Sequence, residues 1–106
     1  MNTPPASVMR AVLVEEEVRF TLAELSRASR ADSALLIEWV HEGVLTPSGE
    51  SAADWRFGGD ALRRARAAAR LSHDLELSAA GVAVVLDLLD QIDALQARLS
   101  RFNRPR

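Results

Sequence analysis

The sequence predicts an all-α protein with a winged helix-turn-helix head, including a small β wing, followed by a long C-terminal amphipathic helix. Three observations support this prediction. Thr21-Leu22-Ala23-Glu24 has the pattern of a capping box, which marks the start of a helix. A second short helical segment follows after a break of a few residues. Apolar residues then repeat at spacings of three and four from Val85 to Phe102.

The first helix of the head is expected to begin at Leu22, directly after Thr21, the N-cap residue of the capping box. Ser29-Arg30-Ala31 interrupts the apolar stripe of this helix, and Asp32 is placed to cap a second helix that stops at Gly43. Two short helices joined by such a turn form a helix-turn-helix unit.

A small wing is expected after the second helix. Val44-Leu45-Thr46-Pro47 and Trp55-Arg56-Phe57 are β-prone runs on either side of Ser48-Gly49-Glu50-Ser51, a pattern typical of a hairpin. Asp60 is then expected to cap a third helix, Ala61 to about His73.

The chain therefore divides into three parts. Residues 1–19 are predicted to be a flexible leader, with a short strand possible near residues 12–14. Residues 20–75 form the helix-turn-helix head. Residues 76–106 hold the C-terminal partner-binding and dimerisation helix, which Ser78 caps and which runs to about Phe102.

The composition argues for one small binding domain and against an enzyme. At 106 residues and 48% hydrophobic content, the chain can build one modest core. It has no cysteine, and His41 and His73 lie far apart, so neither a metal site nor another cofactor is expected. Carboxylates occur, but nothing predicts the dry concave pocket that acid-base catalysis needs.

The charge and hydropathy pattern points to a cytoplasmic protein with a basic protein partner. A net charge of −2 disfavours strong binding to nucleic acid, which needs a basic surface. The apolar run at residues 12–14 ends at Glu15 and is too short for a signal segment. No stretch reaches the ~20 apolar residues of a membrane span, so no membrane association is expected.

The C-terminal helix carries a heptad-like seam. Its members are Val85, Leu88, Ile92, Leu95, Leu99 and Phe102. The seam extends further than a two-helix head can cover, and exposed apolar patches of this kind usually mark an interface. We expect homodimerisation through the seam; the alternative is that the helix folds back on the head.

A second apolar line on this helix consists of Val82, Leu86 and Leu89. One of the two lines is expected to pack on the head and the other to meet a partner. Asp87, Asp90 and Asp93 repeat at spacing three beside these positions and could dock a basic helix. A solvated face is the alternative for the three acids.

Two other groups of residues have alternative interpretations. Arg63, Arg66 and Arg70 follow one face of the third helix and could bind phosphates, although a solvated or salt-bridged face is favoured because aromatic residues are not interleaved. Trp39 and Trp55 could be exposed binding anchors, but in so small a domain a place in the core is favoured.

The run from Leu36 to Pro47, together with Trp55-Arg56-Phe57, resembles the winged helix-turn-helix of the MerR regulators. Those regulators carry a basic, tyrosine-rich segment where this chain has Ile37-Glu38-Trp39, and a basic residue where it has Ser48. Acidic replacements repel phosphate, so direct DNA binding by this head is not expected.

The chain more closely resembles the CbpM family of chaperone modulators. The resemblance is carried by Trp55-Arg56-Phe57, residues 66–77, residues 81–92 and the ending Arg98-Leu99-Ser100-Arg101-Phe102. It implies a protein that binds the J-domain of a CbpA-type co-chaperone of the DnaJ class. It also implies that binding blocks stimulation of the DnaK ATPase and the DNA binding of the co-chaperone, and that the J-domain surface concerned is basic.

We therefore predict a chaperone modulator that is a homodimer, is cytoplasmic, and could associate with the nucleoid through its partner. The partner-binding surface is placed on the second apolar line, the adjacent acids and the preceding turn, namely His73, Leu75, Leu77, Val82, Leu86, Asp87, Leu89, Asp90 and Asp93. The alternative function is a MerR-like DNA-binding transcription regulator, whose helix from Asp32 to His41 would enter the major groove.

Overall fold

A computed structural model describes residues 18–103, which form four helices and no strand. The helices are α1 (Leu22–Ser29), α2 (Ser33–His41), α3 (Gly59–Leu75) and α4 (Ala79–Phe102). The all-α prediction is confirmed for this part of the chain. Most of the predicted leader, including the possible strand near residues 12–14, lies outside the described residues.

The capping box at the start of α1 forms as predicted. The Thr21 hydroxyl accepts a hydrogen bond from the Glu24 backbone amide at 3.1 Å, and the Thr21 amide donates to the Glu24 carboxylate at 2.9 Å. The bond from the Thr21 amide is the main reason that the pKa of Glu24 lies below its usual value. The ionised Glu24 carboxylate therefore stabilises the fold near neutral pH, and this stabilisation is lost as the pH falls through the lowered pKa of Glu24.

Replacing Thr21 with alanine should lower the free energy of unfolding by about 1 kcal/mol, because an amide of the first turn of α1 then loses its side-chain acceptor. Urea titration followed by circular dichroism measures this change. Thr21→Ser keeps the hydroxyl and is the matched control. An equal loss in both variants would contradict a capping role for the hydroxyl.

The turn between α1 and α2 also lies where it was predicted. Arg30 ends α1 in the left-handed conformation, with φ 61°, and the Ser26 hydroxyl donates to the Ala31 carbonyl across the turn. α2 ends at His41. Gly43 has a φ of 80°, and its amide donates a hydrogen bond to the Val40 carbonyl at 3.0 Å. Glycine adopts this conformation without steric cost, which explains why the chain can leave α2 there.

The predicted β wing does not form a hairpin in the described residues. Ser48 and Arg56 form a single antiparallel pair, each amide donating to the other's carbonyl at 3.0 Å. A second isolated pair joins Phe20 to Phe57. The backbone between Ser48 and Arg56 turns too soon for further pairs, since the Asp54 amide bonds back to the Ser51 carbonyl at 2.9 Å.

The start of α3 was predicted two residues too late. The helix begins at Gly59 after an extended Gly58, so Asp60 lies inside the first turn and does not cap it. A carboxylate in the first turn still interacts favourably with the positive end of the helix dipole. The helix also runs to Leu75, beyond the predicted end near His73.

α4 has its predicted limits, with the Ser78 hydroxyl accepting from the Gly81 amide at 3.2 Å and the last helical residue at Phe102. Its first half packs on α2 and α3. Among residues 18–103, no helix combines the length and hydropathy that crossing a membrane requires.

The core lies between the four helices and the loop before α3. Its largest fully buried side chains are Trp39, Phe57, Leu25, Leu36 and Val82. Trp55 is also buried, and its ring meets that of Phe57 edge to face, with centroids 6.1 Å apart. Both tryptophans therefore belong to the core, as the favoured interpretation predicted.

Candidate protein-binding surface of α4

α4 leaves the head halfway along its length. Val82 and Leu86 are buried in the core, whereas every residue from Asp87 to Asn103 is exposed. The prediction that Val82 and Leu86 contact a partner is therefore corrected. Their line is the one that packs on the head, because the two residues lie about 40° apart on the helix, both are buried, and the helices that α4 contacts are α2 and α3.

The protruding half of α4 exposes a row of large apolar side chains. Leu88, Ile92, Leu95, Leu99 and Phe102 of the predicted seam are 47–88% exposed, whereas Val85 is half-buried at the edge of the head. The centre of this row lies about 140° around the helix from Val82 and Leu86. The head therefore cannot cover the row without rotating α4.

Val84 belongs to the same exposed row, although the sequence analysis did not include it. It is 59% exposed and lies one helical turn before Leu88. Its spacing of four from Leu88 was the available signal, but the neighbouring Val85 fitted the heptad pattern better. The row from Val84 to Phe102 is about 27 Å long.

Asp87, Asp90 and Asp93 form a contiguous diagonal stripe on α4. Successive members of an i, i+3 row are neighbours on a helix, and the stripe winds about 60° per step. It runs from beside the apolar row towards the side that faces the head. All three carboxylates are exposed.

Two of these acids have partners within the chain. Asp90 forms a salt bridge with Arg64 of α3 at 3.2 Å, and the Arg64 Nε donates to the Val44 carbonyl at 2.6 Å. Asp87 accepts a hydrogen bond from Gln91 at 2.8 Å. Arg64 therefore holds α4 against α3 and partly neutralises the middle of the acidic stripe.

Leu89 is 44% exposed and lies on the flank of α4 nearest to Asp93. Asp93 and Leu89 are about 40° apart, on the face of α4 that continues beyond the head. These two residues and Asp90 are brought together by the structure, whereas Asp87 lies at the far end of the stripe.

The three predicted site residues before α4 are not part of this cluster. His73 is exposed and bonds to Asp74 at 3.0 Å, on a side of α3 that forms a groove with α1. Leu75 is 60% exposed, and Leu77 is half-buried, with its side chain next to Gly81. Leu77 precedes the first turn of α4, which is about 21 Å along the helix from Asp93.

The second helix of the helix-turn-helix, α2, has acidic residues on its exposed side. Asp32, Glu38 and Glu42 on and around α2 are all exposed, while Trp39 between them is buried. In the described part of the chain, no group of three or more His, Asp or Glu side chains is arranged so that it could hold a metal ion.

A helix-turn-helix head followed by a long helix defines a structural class of protein. The sequence matches a family with a helix-turn-helix as well. Residues 20–104 match the family described as MerR HTH family regulatory protein. The chain is also 34% identical over 97 residues to the chaperone modulatory protein CbpM of Coxiella burnetii (strain Dugway 5J108-111), covering 92% of each chain.

Similar matches exist in a second genus. The chain is 33% identical to the chaperone modulatory protein CbpM of Pseudomonas putida (strain GB-1), covering 82% of this chain and 93% of that one. The CbpM of Pseudomonas putida (strain W619) is 32% identical over the same shares. The chain belongs to the CbpM family of chaperone modulatory proteins, which confirms the resemblance found in the sequence.

Proposed function

We propose that this protein binds the J-domain of a CbpA-type co-chaperone, and that it thereby blocks both the stimulation of DnaK and the DNA binding of the co-chaperone. Membership of the CbpM family supports a chaperone-related protein partner. The observation that carries the proposal is the protruding half of α4, where an apolar row and an acidic stripe stand beside each other in solvent.

Inhibition on this account requires only competition for a surface. A basic helix laid across the acidic stripe would pair with Asp87 and Asp93. Leu89 lies about 40° beyond Asp93 on α4, so an adjoining apolar part of the J-domain would cover it. Once that basic surface is covered, DnaK and DNA cannot reach it. No residue of this chain has to make or break a covalent bond.

The apolar row serves a second contact in this proposal. Two copies that pair through Leu88, Ile92, Leu95, Leu99 and Phe102 would bury side chains that are exposed in the single chain. Because the centre of the row lies about 140° around the helix from Asp93, a second copy and the J-domain could bind at the same time. We place this assembly in the cytoplasm, where a DnaK system operates.

Reversing the charge of the stripe should weaken J-domain binding and flatten its dependence on salt. The double variant Asp87→Lys and Asp93→Lys changes the two ends of the stripe and leaves the bridge from Asp90 to Arg64 in place. We expect at least a tenfold rise in Kd at low salt, because attraction is replaced by repulsion. Calorimetric titration at two salt concentrations measures both effects.

The control is Glu42→Lys with Glu50→Lys, two exposed carboxylates of the head. It changes the net charge of the protein by the same amount and should leave Kd nearly unchanged. Similar losses in the two double variants would mean that overall charge, and not the stripe, governs binding. Unchanged binding in the stripe variant would rule out this placement of the J-domain.

The alternative, a DNA-binding regulator, is favoured by one observation, the match to the MerR regulatory family. Against it, α2 would bring Glu38 and Glu42 towards the phosphates. We expect no mobility shift of random genomic fragments at micromolar protein and low salt. A shift that disappears as salt is raised would restore this alternative.

A further inference from the structure

Several basic side chains line a groove on the head, and they have no role in the proposed function. It has a volume of about 570 Å³ and lies between the C-terminal end of α1 and one face of α3. Arg30 stands at the α1 side, and Arg66, Arg70 and His73 stand on α3. The spacing of the α3 arginines is visible in the sequence, whereas Arg30 comes beside them only in the folded chain.

The groove has a strong excess of positive charge in a protein of net charge −2. Its carboxylate, Asp74, already bonds to His73 at 3.0 Å. Arg66 donates to the Ala28 carbonyl at 3.3 Å, which ties it across the groove to the end of α1. Within residues 18–103, neither Arg30 nor Arg70 takes part in a salt bridge.

The backbone at Arg30 supports a role for its side chain. Its φ of 61° lies in the left-handed region, where glycine is less strained than any residue with a Cβ. An arginine in this position costs stability that a glycine would not. A strained backbone at a residue whose side chain is exposed is a reason to look for a binding function of that side chain.

We propose that this groove binds a short acidic peptide segment, whose carboxylates pair with Arg30 and Arg70. Guanidinium groups match carboxylates in forked, two-bond geometry, and two of them on opposite walls can hold successive acidic side chains. A long polyanion fits less well, because Asp74 lines the groove one helical turn from Arg70 and Asp32 follows Arg30 by two residues. The site lies on the head, so it does not depend on the J-domain proposal.

The test is a nuclear magnetic resonance titration of the full-length protein with a hexaglutamate peptide. We expect amide shifts confined to the end of α1 and the groove side of α3, and none with hexaglutamine. Arg30→Gly and Arg70→Gln should each raise Kd about tenfold, since each removes a charge-assisted hydrogen bond. Arg30→Gly suits the left-handed backbone, so we expect this variant to stay folded and a loss of binding to report the loss of the guanidinium group.

Arg98→Gln is the control, because it removes the same charge from exposed α4 and should bind like the wild type. Three results would overturn the proposal. The first is that the Arg30→Gly variant binds hexaglutamate as tightly as the wild type. The second is that the Arg98→Gln variant loses as much affinity for hexaglutamate as the groove variants. A hexathymidylate oligonucleotide could also shift the same residues with a lower Kd, which would make the groove a nucleic-acid site.

Discussion

Replacing Val82 with aspartate should lower the free energy of unfolding by about 4 kcal/mol, enough to leave a marginal domain largely unfolded. Val82 is fully buried in the core, where α4 meets α2 and α3. The variant places a carboxylate without a partner among apolar side chains and removes the packing of the valine. Urea titration followed by tryptophan fluorescence measures the loss, since Trp39 and Trp55 lie in the same core.

The matched control for this variant is Val84→Asp. Val84 is the same residue type two positions further along α4, but it is 59% exposed. We expect its free energy of unfolding to change by less than about 0.5 kcal/mol, provided that the protein concentration is too low for association to contribute. Equal losses in the two variants would contradict the orientation of α4 on the head.

Placing aspartate at both Leu88 and Leu95 should abolish the proposed homodimerisation and leave the head folded. The two side chains are 52% and 59% exposed in the single chain and lie on the same side of α4. Burial of a leucine contributes about 1.5–3 kcal/mol, so the double change should weaken association at least about a hundredfold. Sedimentation equilibrium over a range of concentrations measures the association constant.

The control for the dimer is Ala94→Asp with Ala97→Asp, which adds the same charge to exposed positions of α4 away from the row. This variant should associate like the wild type. If the wild type sediments as a monomer at all concentrations, the apolar row does not join two copies. If the control dissociates as well, added charge on α4 explains the effect better than a contact at Leu88 and Leu95.

Local signals in the sequence were sufficient for most of the helix boundaries. The capping box at Thr21, the break at Arg30 and the cap at Ser78 each involve residues within one turn of one another, so their geometry follows from short-range chemistry. The start of α3 was misplaced because Asp60 is as favourable inside a first turn as it is at a cap.

The wing could not be predicted from local propensity alone. Val44 and Leu45 have β-prone side chains, but both point into the core, where their amides bond to the Trp39 carbonyl at the end of α2. That tertiary arrangement leaves only Ser48 and Arg56 to pair. β propensity largely reports packing, so it is overridden where packing favours a turn.

The candidate surface was predicted in part. The sequence contained two apolar lines on α4, and the partner was placed on the line whose residues Val82 and Leu86 are buried in the head, because helical spacing alone does not distinguish the two lines. The bridge between Arg64 and Asp90 joins residues 26 positions apart, and the meeting of Arg30 with Arg70 depends on how α1 lies on α3. Contacts of this kind exist only in the folded chain.

The proposed function is tested most directly by calorimetric titration of this protein with the J-domain of a CbpA-type co-chaperone from the same organism, at two salt concentrations. The account predicts binding at micromolar Kd or tighter, with affinity that falls as salt rises, because the acidic stripe on α4 faces a basic surface. If no heat of binding above dilution appears at either salt concentration, and a pull-down also recovers no J-domain, the protein is not a J-domain inhibitor.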